Sequence, residues 1–454
     1  MAKKVSFVSK VGLISATVGS AIGLGNIWRF PAEAQQNGGA AFLIVYILCL
    51  LFLGIPVMLS EFSLGRGTNS DAVSAFTRLK PKSSWRGVGA LAVLASYLIL
   101  CFYMVVAGWS LEYLWQSVTG ELYSGLGVDN ASMASVFHQK MESFICSDVN
   151  PLVCTFVMIA INFVVLIAGV QKGIERLSNI LMPLLFCLLI IFIVVSLSLP
   201  GASAGVEFFL SPDFSKITPS VFINALGQAF FSLSLGMGIL ITYSSYFPKD
   251  TNLPKTALTV SLLDLLAAVM MGLIIFPAVA SFGLEGSELR GTTLVFVTLP
   301  EIFARMGATQ FWSILFFLLL LVAALTSTIS IAEVSIACIQ DRFHRSRLTA
   351  CTIVLLPLFL LSALCSLSFG SLSGIQIFGM NIFDTLDTFA TNILLPVVSI
   401  LTCVFMGWIV GKEYLRDELT NNGRIDRHAY PLIRFIIRYA APPMILLILI
   451  STFI

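Results

Sequence analysis

The sequence predicts an all-α integral membrane protein with eleven transmembrane helices, and three observations support this prediction. The chain of 454 residues is 57% hydrophobic and only 11% charged, whereas soluble domains carry about a quarter charged residues. Its mean hydropathy is +0.95. Apolar runs of about 20 residues, the length that crosses a bilayer, recur along the whole chain. We therefore expect the lipid bilayer to cover most of the surface.

Eleven apolar runs are long enough to span the membrane. Their predicted ranges are 11–33, 40–64, 86–118, 152–171, 177–199, 220–247, 256–284, 310–340, 349–368, 385–410 and 435–453. The first run extends too far for a cleaved signal peptide, so we expect it to be retained. Residues 119–151 are predicted to form a polar outer loop. Residues 285–309 are predicted to form a short helical hairpin or lid over the outer side.

Lysines and arginines are distributed unequally between the two sides of the predicted bundle. Of the 26 such residues, Arg29 lies within a span, 21 lie on one side of the bundle, and only Lys140, Lys216, Arg290 and Arg305 lie on the other side. Because positively charged loops remain in the cytoplasm, the N-terminus is predicted inside. An odd number of spans then places the C-terminus outside. The predicted location is a bacterial cytoplasmic (inner) membrane.

Two of the predicted spans are interrupted by glycines and small polar residues. The first contains Ser20-Ala-Ile-Gly-Leu-Gly-Asn26, and the sixth contains Phe230-Phe-Ser-Leu-Ser-Leu-Gly-Met-Gly238. Either interruption alone is also typical of close helix packing. Together they occupy matching positions in two five-helix halves, residues 11–199 and 220–410, which indicates an inverted repeat with a central binding site. Residues 1–10 then form a cytoplasmic segment, and residues 411–454 form an inner loop and the eleventh helix.

The residues near these interruptions predict the kind of ligand. Freed N–H groups and helix N-termini attract an anion, whereas freed carbonyls attract a cation. Ala323, Thr326 and Ser327 share one face of the eighth span and supply oxygens suited to a hard cation, although such hydroxyls also bond back to their own helix. Asp264 lies inside the apolar seventh span, where a bound cation is its natural partner. A zwitterion beside a small cation fits this set.

Other function classes lack the residues that they need. A channel would require repeated filter elements. The three histidines, His138, His344 and His428, lie in loops away from the cysteines, so neither a metal site nor an enzyme is predicted. No basic stripe indicates nucleic acid, and nothing in the sequence predicts an oligomeric state. A ligand sensor with the same fold remains an alternative, as does a disulfide between Cys146 and Cys154.

Four segments resemble the neurotransmitter:sodium symporters. They are Gly19-Ser-Ala-Ile-Gly-Leu-Gly-Asn-Ile-Trp-Arg-Phe-Pro31, Asn37-Gly-Gly-Ala-Ala-Phe42, Phe230-Phe-Ser-Leu-Ser-Leu-Gly-Met-Gly238 and Ala324-Leu-Thr-Ser327. The resemblance extends over nearly the whole chain and is closest to bacterial members with eleven helices that transport several hydrophobic amino acids. It implies sodium-coupled uptake of a hydrophobic or aromatic amino acid by alternating access, with two sodium ions.

The resemblance also implies a role for individual residues. Sodium site one would comprise Ala21, Asn26, Ser232 and Asp264, and sodium site two would comprise Gly19, Ile22, Ala323, Thr326 and Ser327. The substrate-binding residues would be Ser20, Ala21, Leu24, Gly25, Ile99, Tyr103, Phe231, Ser232, Ser234, Met237, Ser327 and Ile331. The gates would be Arg29, Asp387, Gln228, Tyr103 and Phe231 on the outer side, and Lys4, Tyr246 and Asp341 on the inner side. Gly173 and Pro183 match the spacing that allows the inner part of the fifth span to unwind.

Several positions depart from the pattern of relatives. Lys4 replaces an arginine, and Phe7 replaces a tryptophan. A weaker inner gate is predicted because lysine cannot form the paired hydrogen bonds that arginine makes with a carboxylate. Asp264 replaces an asparagine and supplies a negative charge, so no chloride requirement is predicted. Met237 replaces a phenylalanine and predicts tolerance of varied side chains. Amine-transporting relatives carry an aspartate at the position of Gly23. The glycine leaves room for the carboxylate of an amino acid.

Overall fold

The computed structural model describes residues 6–125, 133–284, 291–425 and 428–453. Within these ranges the secondary structure is helical, apart from one isolated β-bridge between Ile377 and Met380. The predicted all-α class is confirmed. Lys4, a predicted gate residue, lies outside the described residues.

We number the main helices in chain order. They are α1 Lys10–Ala21, α2 Gly25–Gln36, α3 Ala40–Thr68, α4 Ala72–Leu79, α5 Arg86–Thr119, α6 Met133–Ile145, α7 Asn150–Ile167, α8 Val170–Leu197, α9 Ala202–Leu210, α10 Pro219–Ser232, α11 Ile239–Ser244, α12 Leu253–Ser281, α13 Leu299–Arg305, α14 Thr309–Phe343, α15 Arg347–Leu367, α16 Ile382–Ile409, α17 Lys412–Leu419 and α18 Tyr430–Ser451. Helical turns at Gly291–Thr293 and Leu294–Thr298 precede α13.

Nine helices in the described ranges are long and apolar enough to cross a membrane, namely α3, α5, α7, α8, α12, α14, α15, α16 and α18. The pair α1 and α2 forms a tenth such span that is bent by 53°. The predicted sixth span, 220–247, consists of α10 and α11 with an irregular stretch between them. Both predicted interruptions are therefore breaks in the helices.

One predicted boundary differs from the structure. The fourth and fifth spans were expected to meet between residues 171 and 177, but α7 ends at Ile167 and α8 begins at Val170. The chain turns at Gly169, whose φ of 82° lies in the left-handed region that glycine tolerates. Helix α8 then starts with a wide turn over Val170–Glu175.

The broken helices lie in the interior of the bundle. Helix α14 packs along α5, and α1 packs against α8 and α14. Helices α10 and α11 pack against α3. The two breaks therefore lie among long neighbouring helices that enclose the irregular backbone, as unwound segments at membrane depth require.

The outer segments contain more helix than the sequence indicated. Residues 119–151, predicted to be a polar loop, include α6, which buries Phe137, Met141 and Phe144 along one face. In residues 285–309 the described part runs as successive helical turns from Gly291 into α13. Phe296 is buried there, so this segment packs onto the bundle.

Candidate functional site

The first break separates α1 from α2 at Ile22, Gly23 and Leu24. Ile22 is extended, and its N–H donates to the Val18 carbonyl at 2.8 Å, which ends α1. The Gly23 N–H donates to Asn26 Oδ1 at 3.3 Å. Backbone groups that a continuous helix would use internally are thus available to neighbouring side chains or to a ligand.

The second break, between α10 and α11, depends on left-handed backbone. Ser234, Gly236 and Gly238 have φ values of 55°, 78° and 72°. The Gly236 N–H donates to Glu61 Oε1 on α3 at 2.8 Å. A Cβ on Gly236 would lie 2.5 Å from the Leu395 carbonyl oxygen, so no side chain fits there. Glu61 was not identified from the sequence, although a carboxylate inside the predicted span 40–64 is a signal of the same kind as Asp264.

Polar side chains from four helices meet at Asp264. The Asn26 amide donates to Asp264 Oδ1 at 2.8 Å and to Ser232 Oγ at 3.1 Å. The Ser232 hydroxyl lies 2.8 Å from both Asp264 carboxylate oxygens. The Tyr46 hydroxyl donates to Asp264 Oδ2 at 3.2 Å. Three residues predicted for sodium site one are therefore in mutual contact, with Tyr46 as a further member.

The residues predicted for sodium site two lie where α1 approaches α14. A Cβ on Gly19 would lie 3.3 Å from Thr326 Cβ, so the two helices are in close contact. The Thr326 hydroxyl donates to the Ala323 carbonyl at 3.0 Å. Ile22 and Ser327 are also buried here. Met182 on α8, the residue before Pro183, lies 3.4 Å from the same Cβ position. Its side chain therefore covers this region.

A small central cavity of about 30 Å³ lies between the breaks. The side chains and backbone that line it are Ser20, Ala21, Gly23, Gly25, Ile99, Tyr103, Phe231, Ser232, Ser234, Met237, Ser327 and Ile331. All of the predicted substrate-binding residues are in this set except Leu24, whose N–H donates to the Tyr103 hydroxyl at 3.1 Å. The sequence analysis had not included Gly23 in this lining.

Gly23 cannot be enlarged without displacing its neighbours. A Cβ at this position would lie 2.5 Å from Ser327 Oγ and 2.9 Å from the Tyr103 hydroxyl oxygen. Both distances are shorter than a contact between non-bonded atoms, so an aspartate at this position would displace the side chains of Ser327 and Tyr103. The space beside Gly23 is bordered by two hydroxyls, which suit a carboxylate.

An outer cavity of about 670 Å³ lies above the central one. Gly25, Tyr103 and Phe231 line both cavities. The Phe231 ring would lie 2.8 Å from a Cβ on Gly25, so it packs against the first break. The Arg29 guanidinium stacks over this ring at 4.7 Å from its centroid. Phe231, with a cation stacked on it, and Tyr103 therefore lie between the two cavities.

The predicted pair of Arg29 and Asp387 is not a direct ion pair within the described residues. Both line the outer cavity, but the Arg29 guanidinium lies 4.0 Å from Glu33, one turn further along α2. Asp387 instead accepts from the Thr391 hydroxyl at 3.3 Å. The Gln228 amide donates to the Gly25 carbonyl at 3.2 Å and so connects α10 to α2.

The inner side is closed by aromatic packing. Phe7 is 3% exposed and packs against Tyr243, Tyr246 and Phe247, with ring centroids 6.1–6.3 Å apart. The Phe7 N–H also donates to the Tyr246 carbonyl at 3.1 Å. The position that departs from tryptophan in relatives is therefore filled by a buried ring.

A buried ion pair reinforces the inner side, and the sequence analysis did not find it. Arg347 Nη1 and Nη2 donate to the two oxygens of Glu333 at 2.8 and 2.5 Å. The Tyr246 hydroxyl donates to Glu333 Oε1 at 2.8 Å. Arg347 Nε donates to the Leu166 carbonyl at 2.7 Å. The pair of Glu333 on α14 and Arg347 on α15 thus connects α7, through Arg347, to the segment that follows α11, through Glu333.

Asp341, the third predicted inner-gate residue, lies near the end of α14 and contacts the start of α4. Its carboxylate accepts from the Asp71 N–H at 2.9 Å. Asp71 caps α4 by accepting from the N–H groups of Val73 and Ser74. Burial raises the pKa of the Asp71 carboxyl above its ordinary value, and the charge of Asp341 adds to the rise.

Glu175 connects α8 to the start of α1. Its carboxylate accepts from the N–H groups of Val8 and Ser9 at 2.9 and 3.0 Å, and from the Ser9 hydroxyl at 3.1 Å. A carboxylate at a helix N-terminus satisfies donors that the helix itself leaves unpaired. Because Glu175 follows Gly173 by two residues, unwinding the start of α8 would also release the start of α1.

The cysteines of the described residues are free thiols. Cys146 and Cys154 are free thiols, so the disulfide that the sequence left open is not formed. Among the described residues no group of three or more histidine, cysteine, aspartate or glutamate side chains is arranged to hold a metal. Around Asp264 and Thr326, a carboxylate, an amide and hydroxyls supply oxygen atoms. Hard cations prefer ligands of this kind.

Comparison with known proteins supports this interpretation of the site. The model of the sodium:neurotransmitter symporter family matches residues 4–126 and 141–454. The chain is 37% identical to the uncharacterized sodium-dependent transporter YhdH of Bacillus subtilis over 449 residues, covering 99% of this chain and 98% of that protein. It is 29% identical to the sodium-dependent serotonin transporter of Drosophila melanogaster over 450 residues, covering 90% and 70%. The crystal structure of MhsT in complex with L-phenylalanine superposes with a TM-score of 0.88 at 41% identity, covering 99% of this chain and 100% of that chain.

Proposed function

Because the chain belongs to the sodium:neurotransmitter symporter family, we propose that it imports a hydrophobic or aromatic amino acid together with sodium. Membership identifies a multi-pass membrane transporter that uses sodium, and not an enzyme. The observation that carries the proposal is the meeting of both helix breaks beside Asp264, with a small cavity between them.

Two sodium ions are proposed. One binds the Ala21 carbonyl, Asn26, Ser232 and Asp264, where the carboxylate offsets the charge that would otherwise be costly in the membrane. The other binds between α1 and α14 at Gly19, Ile22, Ala323, Thr326 and Ser327. Because the first ion lies beside the cavity, sodium and substrate each tighten the binding of the other by the same factor.

The substrate is proposed to lie with its carboxylate beside Gly23 and the Tyr103 hydroxyl. Ile99, Met237 and Ile331 surround its side chain. These apolar side chains would leave the polar groups of a hydrophilic substrate unpaired, which favours a hydrophobic or aromatic amino acid. The phenylalanine bound to MhsT is consistent with this class. Since the cavity holds only about 30 Å³, Met237 and Phe231 must move to admit a side chain.

Chloride is proposed to be unnecessary. The Asp264 carboxylate already accepts hydrogen bonds from Asn26, Ser232 and Tyr46. A resident negative charge takes the place of a bound anion, and a chloride ion at the same position would be repelled.

Transport is proposed to proceed by alternating access between two inverted five-helix halves, residues 11–199 and 220–410, in a protein of eleven spans. The distribution of basic residues among the loops supports an N-terminus in the cytoplasm of a bacterial cell and a C-terminus outside. Substrate enters through the outer cavity past Phe231. Withdrawal of α1 and unwinding at the start of α8 then expose the second sodium ion to the cytoplasm.

Uptake into proteoliposomes tests the proposal. Labelled leucine, phenylalanine and tyrosine are supplied with an inward sodium gradient, and then with potassium replacing sodium. We expect accumulation of at least one of them only with the sodium gradient. Binding without accumulation would instead favour a sensor, and accumulation that ignores sodium would contradict coupling.

A further inference from the structure

A third cavity, of about 460 Å³, lies on the side opposite the outer cavity, between the start of α1 and the start of α12. Its polar lining includes Lys10, Lys255, Thr256 and Thr259. The cavity shares no residue with the central or outer cavity. The proposed transport mechanism does not use these side chains.

The cavity is suited to an anion. Within the described residues, Lys10 Nζ and Lys255 Nζ form neither an ion pair nor a hydrogen bond, and both side chains are exposed. Asp250 is the one acidic residue in the lining, so the lining carries a net positive charge. Helix α12 also begins here, and the positive end of its dipole adds to the field of the lysines. The start of α1 contributes less, because the Glu175 carboxylate already binds the N–H groups of Val8 and Ser9.

An apolar stripe leads from this cavity toward the centre of the membrane. Leu258 and Leu262 are one turn apart on α12 and are 44% and 46% exposed. Val11 on α1 is 68% exposed, and Leu13 and Ile14 line the cavity itself. In a chain that spans the bilayer, such exposed aliphatic side chains contact acyl chains.

A polar, cationic cavity joined to a lipid-facing apolar stripe matches one kind of molecule. We propose that an anionic phospholipid binds here, with its phosphate between Lys10 and Lys255 and an acyl chain along Leu258 and Leu262. Two lysines at the boundary of the membrane attract anionic headgroups over zwitterionic ones. Because the lysines belong to different helices, the bound lipid bridges α1 and α12.

The bridge has a consequence that rests on the proposed function. Opening toward the cytoplasm requires the start of α1 to move away from the bundle. A lipid held by both helices opposes that movement and lengthens the time spent closed on the inner side. Anionic lipid is thus a regulator of the inward-opening step, through contacts remote from the sodium and amino-acid sites.

Native mass spectrometry of the full chain tests the binding itself. The protein is equilibrated in micelles that contain equal amounts of phosphatidylglycerol and phosphatidylcholine. We expect phosphatidylglycerol to be retained preferentially, and the double variant Lys10→Gln/Lys255→Gln to reduce the preference about tenfold. The matched control Lys80→Gln/Lys82→Gln removes the same charge from an exposed inner loop and should leave the preference unchanged.

Three outcomes would overturn the proposal. They are equal retention of both lipids by the wild type, an unchanged preference in Lys10→Gln/Lys255→Gln, or displacement of the lipid by free inorganic phosphate alone, which would indicate a small-anion site. A second measurement needs no variant. Hydrogen exchange of residues 10–21 should be slower in phosphatidylglycerol nanodiscs than in phosphatidylcholine nanodiscs, and equal exchange would exclude the bridge. Neither readout depends on transport, so failure here is distinguishable from failure of the proposed function.

Discussion

The outer and inner sides of the transport path are closed by different means. On the outer side two rings, Phe231 with Arg29 stacked on it and Tyr103, lie between a cavity of about 670 Å³ and the central cavity. On the inner side an aromatic cluster around Phe7, the ion pair of Glu333 with Arg347, and the Glu175 carboxylate act together. Opening the outer side disturbs one stacked pair, whereas opening the inner side breaks several buried contacts at once. The molecule is therefore biased toward an inner-closed form that receives substrate from outside.

The largest effect is expected from breaking the inner ion pair. Glu333→Gln leaves the buried Arg347 guanidinium without its counter-charge, which costs about 3–5 kcal/mol. We expect the inner side to open and transport to fall steeply. Labelling of Cys338 by a membrane-permeant thiol reagent, with the more exposed cysteines replaced by serine, measures the opening.

The double variant Glu333→Gln/Arg347→Gln provides the control for this prediction. Removing both charges leaves no unpaired ion, so labelling should return toward the wild-type rate. Labelling as slow in Glu333→Gln as in the wild type would show that the ion pair does not hold the inner side closed.

The second prediction concerns the central cavity that lies between the two closures. Gly23→Ala places a methyl group 2.5 Å from Ser327 Oγ. Overpacking of this kind costs about 1–3 kcal/mol, and we expect it to appear as weaker amino-acid binding, measured by equilibrium binding of the labelled substrate.

Gly87→Ala is the matched control, since a Cβ on Gly87 meets no atom within 4 Å. Its substrate affinity should equal that of the wild type. An unaltered affinity in Gly23→Ala would contradict the position proposed for the substrate carboxylate.

The third prediction tests the contact between α1 and α8 independently of the other contacts that close the inner side. Glu175→Gln keeps the shape of the side chain but removes the charge that binds the N–H groups of Val8 and Ser9 at the start of α1. A hydrogen bond to a charged group contributes about 1.5–3 kcal/mol. We expect faster hydrogen exchange in residues 10–21 and in the first turns of α8 together. Glu142→Gln, at an exposed outer position, serves as the control. Faster exchange in only one of the two helices would show that they are not connected through Glu175.

The smallest effect is expected on the outer side. Arg29→Gln removes the cation stacked on Phe231, an interaction of about 0.5–1 kcal/mol at a partly exposed site. Uptake should fall only a few-fold, and release of bound substrate to the outside should be faster by a similar factor. A loss as large as that of Glu333→Gln would remove the contrast between the two sides.

The residues predictable from the sequence were those whose chemistry conflicts with a membrane helix. Gly23, Gly236 and Asp264 stand out because an apolar span has no internal use for them. Tyr46, Glu175 and Met182 gave no such indication, whereas the charge of Glu61 inside the predicted span 40–64 was a signal that the prediction did not use. Tyr46 and Asp264 are 218 residues apart, and their contact depends on how the helices pack.

The spans were predictable to within a few residues because apolar length is a direct physical requirement of the bilayer. The start of α8 was misplaced because a single left-handed glycine, Gly169, sets it. Helix α6 was missed because its buried face contains only three widely spaced apolar side chains in a polar stretch.

Reciprocal binding of sodium and amino acid tests the central claim most directly. Affinity for phenylalanine is measured by equilibrium binding at increasing sodium concentration, in the wild type and in Asp264→Asn, and then repeated with and without chloride. The account predicts that sodium tightens phenylalanine binding in the wild type irrespective of chloride, and that Asp264→Asn weakens this dependence or makes it respond to chloride. Phenylalanine binding that is equally tight without sodium, or an Asp264→Asn variant that behaves as the wild type, would contradict it.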